Sequence, residues 1–92
     1  MGTLYRQVIV WKHRSDFEAD TAVRYCCFES LKTGLFHIQS ADYFRLPVNE
    51  VGKQQLDRQC IELFVETDPQ DRTKGFASLE EAIAAHDRCF YD

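Results

Sequence analysis

A carboxylate and an imidazole facing one another across a β-hairpin can pass a proton between them. Glu29 and His37 are so placed if the chain reverses at Lys32-Thr33-Gly34. Tyr25, Gln39 and Tyr43 fall on the same two flanks at positions that would share that surface, where they could hold a ligand or a partner chain. The plain alternative is a solvated cross-strand ion pair of small energy, so no residue is assigned a catalytic role. Trp11 is a further anchor for recognition, although its face depends on a strand pairing that sequence does not determine.

Four cysteines, Cys26, Cys27, Cys60 and Cys89, form neither a C-x-x-C pair nor zinc-ribbon spacing. Cys26 and Cys27 are adjacent in an extended segment and point to opposite faces, so they do not bridge one another. All four are expected to be reduced, with buried thiols as the ordinary use. His86 and Cys89 sit three apart on a predicted helix, but a structural metal needs about four ligands and only this one pair is offered. Asp68, Asp71 and Thr73 lack the alternating oxygen ligands of a calcium loop, because Gln70, Arg72 and Lys74 intervene. No metal and no cofactor is therefore expected.

The elements that must position these residues follow from periodicity. Tyr5 to Lys12, with Val8, Ile9, Val10 and Trp11, is β-branched and aromatic and predicts a first strand. Arg14 to Thr21 is polar without a period and predicts a loop. Ala22 to Leu31 and Leu35 to Arg45 predict a hairpin. A three-residue bend with Gly34 left-handed sets Leu31 opposite Leu35, Glu29 opposite His37, Phe28 opposite Ile38 and Arg24 opposite Asp42. That register sends Ala22, Arg24, Cys26, Phe28, Phe36 and Ile38 to a core face. Tyr25, Cys27, Glu29, His37, Gln39 and Tyr43 go to a mixed face left open.

Pro47 closes the third strand. Asn49 is a candidate N-cap for a helix reaching about Glu66, with Leu56, Cys60, Leu63 and Phe64 on one stripe. Gly52 weakens its first turn, so the helix is expected to start late. After the polar stretch from Asp68 to Gly75, Ser78 and Glu81 form a capping box for a second helix, whose stripe holds Leu79, Ala82, Ile83, His86 and Phe90. The expected architecture is a single α+β domain over 1–92: a three-stranded antiparallel sheet with two helices packed on one face, in the order β-β-β-α-α.

The 92 residues are 45% hydrophobic and 28% charged, a globular composition. A net charge of −4 without basic runs argues against nucleic acid as a partner. The short apolar runs argue against a membrane span, and a cytoplasmic location is the expectation. These features favour a non-catalytic protein-interaction or self-associating module that uses its free sheet face or an edge strand, with a homodimer or a foreign protein as partner. A small-molecule-binding or acid-base enzyme using Glu29 and His37 is the alternative, with a small ligand at the open face.

Overall fold

The computed structural model describes residues 2–13 and 21–91, apart from the side chains of residues 90 and 91. Of the expected loop at 14–21 only Thr21 is described, and it opens the second strand; residues 14–20 and the place of Phe90 on its helical stripe lie outside the described residues. Three strands, β1 (Tyr5–His13), β2 (Thr21–Ser30) and β3 (Phe36–Arg45), form an antiparallel sheet in the order β1-β2-β3. Helix α1 (Glu50–Glu66), the single turn α2 (Pro69–Arg72) and α3 (Leu79–Tyr91) follow. The α+β class and the strands-then-helices order agree with the hydrophobic periodicity. No helix among the described residues is long and apolar enough to cross a membrane.

Local chemistry accounts for the element ends. Asn49 caps α1 by accepting from the Gly52 N–H at 3.0 Å, so the glycine expected to delay the helix serves its first turn instead. Ser78 accepts from Glu81 N–H at 3.1 Å and opens α3. Asp68 caps α2, where a plain loop was expected, by accepting from Gln70 N–H at 3.1 Å ahead of Pro69, which needs no donor. β3 ends at Arg45, before a cis Leu46-Pro47 bond.

Hairpin register departs from expectation in an instructive way. The Gly34 N–H reaches Ser30 O at 2.8 Å and Ser30 N–H reaches Leu35 O at 2.9 Å, so the loop holds four residues, Leu31 to Gly34, one more than expected. Gly34 does adopt the left-handed conformation, at φ 74°. A bulge in the β2–β3 pairing between Cys26 and Cys27, opposite the extra residue Gln39, then takes up the offset. Beyond it Arg24 meets Asp42 as predicted. On the turn side Phe28 faces His37 and Glu29 faces Phe36, so the expected Glu29–His37 pair does not form.

The helices also part company. Because neighbouring residues on a strand point to opposite faces, β2 sends Arg24, Cys26 and Phe28 toward α1 and Val23, Tyr25 and Cys27 toward α3. The contacts agree: Cys26 and Phe28 cluster with Cys60 and Phe64, whereas Val23, Tyr25, Cys27 and Ile38 cluster with Leu79, Ala82 and Ile83. The expectation that both helices share one face is thus corrected: α1 and α3 cover opposite faces, and β2 is buried between them. Burying apolar side chains on both faces is worth roughly 1.5–3 kcal/mol for each large one, before conformational entropy is charged against it.

Candidate functional site

Tyr25, Glu29, His37, Gln39 and Tyr43 were expected to share one surface, with the face of Trp11 undetermined, and the structure distributes them over two. Tyr25 is fully buried on the α3 face, where its hydroxyl donates to Asp87 Oδ1 at 2.8 Å and its ring meets His86 edge-on. Glu29 lies on that face too, half-buried and paired with Arg6 at 3.2 Å. His37 projects from the other face, 4% exposed, with Nδ1–H donating to Thr73 O at 3.0 Å and its ring beside Tyr5. Glu29 and His37 therefore leave the ribbon on opposite sides, and no proton path joins them. Gln39 bends toward α1 at the bulge, its Nε2 donating to Cys60 O at 2.9 Å. The expected open face is thus largely covered: Tyr25, His37 and Gln39 are groups by which the later segments are held.

Two expected anchors do stand in solvent. Trp11 is 55% exposed and its ring lies 5.6 Å from that of Phe44; Tyr43, on the other face, is 42% exposed. Around Trp11 a 490 Å³ cavity opens between the end of β1 and the segment after β3, with walls from Phe44, Leu46, Val48 and Lys53. Leu46 and Val48 are exposed as well, so the apolar surface is continuous there.

Association through an edge strand was one expectation from sequence, and the structure puts β1 at one edge of the sheet. Leu31 N–H donates to Leu4 O at 2.9 Å, and the β1–β2 register runs without a break. By ladder alternation the even-numbered residues of β1 bond to β2, while the N–H and C=O groups of Tyr5, Gln7, Ile9 and Trp11 point away from the sheet. Among the described residues no strand pairs with them. Ile9 is 44% exposed on the same stretch. Side chains, not its outer backbone, tie β1 to the later segments: the Tyr5 hydroxyl donates to Asp68, Gln7 Nε2 lies 3.8 Å from Cys60 Sγ, and Lys12 Nζ reaches Asp87 Oδ2 at 2.9 Å. Burial and that bond to Asp68 push the Tyr5 phenol up to about 12, so it stays a donor throughout the physiological range.

The electrostatics of the covered faces are structural. Arg24, buried beside the Phe44 ring, reaches Asp57 at 2.7 Å and Asp42 at 3.4 Å. The hydrogen bonds from Arg24 and Lys53 hold the Asp57 carboxyl below its ordinary value. Burial holds the His86 imidazole below its own. For Asp87 burial pulls upward, but the bonds from Lys12 and Tyr25 outweigh it and the net shift is downward. Among the described residues no group of three or more His, Cys, Asp and Glu side chains is arranged to hold a metal ion.

The cysteines also differ from expectation. Cys26 and Cys60 are joined as a disulfide between β2 and α1, whereas Cys27 is a buried free thiol and Cys89 an exposed one. The sequence signal for this pairing was slight: both residues had been placed on inward stripes, with nothing to bring the stripes together. Comparisons of the chain with protein-family models, curated proteins and solved structures gave no match.

Proposed function

We propose that the chain is a non-catalytic interaction module that associates with a second copy of itself by pairing β1 edge to edge. The observation that carries this reading is the row of outward backbone groups at Tyr5, Gln7, Ile9 and Trp11 on a nine-residue strand with Ile9 and Trp11 in solvent. Such an edge invites another strand, and proteins that remain apart usually blunt it with a proline, a bulge or an inward charge. None of these interrupts Gln7 to Trp11.

Register selects the partner. Two antiparallel copies related by a two-fold axis must pair odd with odd residues here. A ladder centred on Val8 sets Tyr5 against the partner's Trp11, Gln7 against the partner's Ile9 and Arg6 against the partner's Val10. A ladder centred on Ile9 would instead set Arg6 against the partner's Lys12, a like-charge pair that costs a few tenths of a kcal/mol or more. The Val8-centred pairing makes aromatic and aliphatic contacts and extends the sheet to six strands.

Sedimentation equilibrium across a wide concentration range, combined with amide exchange, tests this. A dimer whose Gln7, Ile9 and Trp11 amides gain protection as concentration rises is the expected result. A monomer at every concentration, with those amides exchanging freely, rejects it.

The Trp11 cavity favours a second, compatible reading as a small-ligand site, since 490 Å³ lies within the range of such pockets. Quenching of the single tryptophan by small aromatic acids would support it, and an unchanged emission spectrum would not.

A further inference from the structure

The disulfide is buried, with Cys26 2% and Cys60 7% exposed, but it borders a cavity rather than packed side chains on every side. Cys26 and Cys60 both line a 280 Å³ cavity on the α1 side of the sheet, with Gln7, Ile9, Arg24, Asp57 and Ile61 as the other walls. Two side-chain amides converge on its sulfurs. Gln7 Nε2 lies 3.5 Å from Cys26 Sγ and 3.8 Å from Cys60 Sγ. Gln39 Nε2, bonded to Cys60 O, lies 3.4 Å from Cys60 Sγ. A divalent sulfur accepts such bonds weakly, but a thiolate accepts them well, so donors aimed at a disulfide stabilise the sulfur that leaves when it is cleaved. The β2–β3 bulge is what turns Gln39 toward this place, and it thus gains a chemical consequence besides its effect on register.

We infer that Cys26–Cys60 is a thiol–disulfide exchange site for a low-molecular-weight thiol admitted through this cavity. The incoming thiolate attacks Cys26 Sγ. A new bond forms from its sulfur to Cys26, the Cys26–Cys60 bond breaks, and the electron pair departs on Cys60 Sγ, which receives both amide donors. A second thiolate then attacks the outer sulfur of the mixed disulfide and releases Cys26 as a thiolate. Both protein thiolates take up the protons that the two reagent thiols gave up. In sum, two small thiols are oxidised to one small disulfide while the protein disulfide is reduced to two thiols. The exchange is independent of β1 association, because it uses the Gln7 side chain and not its backbone edge.

The test uses the full chain carrying Cys89→Ser, which removes the exposed competing thiol, with 2-mercaptoethanol as the reagent. Cys27 stays silent at neutral pH because burial pushes its thiol up to about 12. Rapid quenching with iodoacetamide and peptide mass analysis should find the reagent attached to Cys26 and the alkyl group on Cys60, with amide exchange showing the fold intact. Gln7→Leu and Gln39→Leu should each slow reduction about fivefold, the equivalent of one hydrogen bond near 1 kcal/mol, with the denaturation midpoint measured alongside to separate chemistry from folding. Reduction only under unfolding conditions, alkylation of both cysteines before any thiol is added, or attachment to Cys60 would each overturn the assignment.

Discussion

The two outer strands of this sheet are treated oppositely. β3 lies beneath helices on both of its faces, and the first residue on its outer edge is held by a bridge in which Phe36 and Phe76 exchange backbone bonds at 2.8 and 2.9 Å. β1 has no such bridge among the described residues, and the helix backbones approach it less closely than β3. Stability is therefore concentrated in β2, β3 and the helices, while β1 presents backbone and apolar side chains to whatever comes next. A sheet need not spread its burial evenly, and the strand it leaves least covered is the one available for recognition.

The largest effect that would break this contrast is a matched pair of substitutions. Ile38→Ala, in the core of β3, should cost about 2–5 kcal/mol in chemical denaturation, the usual range for an isoleucine emptied from a packed interior. Ile9→Ala, on half-exposed β1, should cost less than about 1 kcal/mol. Equal costs would show that β1 belongs to the same packed unit as β3.

A proline at Ile9 sharpens the point at the next scale. Residue 9 directs its N–H outward, so Ile9→Pro removes an edge donor without removing a β1–β2 bond. Association should weaken at least tenfold by sedimentation, while far-UV circular dichroism stays close to that of the parent. The same proline at Val10, whose N–H serves the β2 ladder, should unfold the strand; identical behaviour of the two variants would show that the outward row has no special role.

How much of this was readable beforehand divides along the same line. The strands, the left-handed Gly34, the Arg24–Asp42 pairing and the caps at Asn49 and Ser78 are local, and residue types a few positions apart specify them. The bulge is not local: Gln39 meets Cys60 O and Cys60 Sγ, on a helix 21 residues further along the chain. Tyr25, His37 and Gln39 looked like a wet face because they are polar, yet each finds its partner on a later segment, at Asp87, Thr73 and Cys60. One signal did point to burial on both faces. From Val23 to Phe28 β2 is nearly continuous in apolar and aromatic residues, with only Arg24 between, and does not alternate as a half-exposed strand would. That an edge strand could associate was foreseeable, but which strand lies at the edge was not, because exposed backbone leaves no mark in residue type.

The smallest expected effect concerns a polar link from the far end of β1 to α3, the bond from Lys12 to Asp87. Lys12 from β1 and Tyr25 from β2 both converge on Asp87, and His86 lies beside it with its Nδ1 at 3.8 Å from the carboxylate. A carboxyl held below its ordinary value contributes stability that is present above the unfolded pKa near 4, and lost as pH falls through the lower folded value. An imidazole held low by burial behaves with the same sign at a higher window, its contribution intact above about 6.5 and lost as pH falls through its depressed folded value. Stability should therefore decline in two acid steps. His86→Leu should flatten the first, and Asp87→Asn should reduce the second, to which the lowered Asp57 also contributes. Lys12→Met should reduce only the second, by less than about 1 kcal/mol, because its ammonium is half-exposed and solvent screens the pair. Denaturation midpoints measured from pH 8 down to 3 would separate the steps. If Lys12→Met removed the second step entirely, this contact would be a principal tie of β1 to the core, and the contrast between the two outer strands would shrink accordingly.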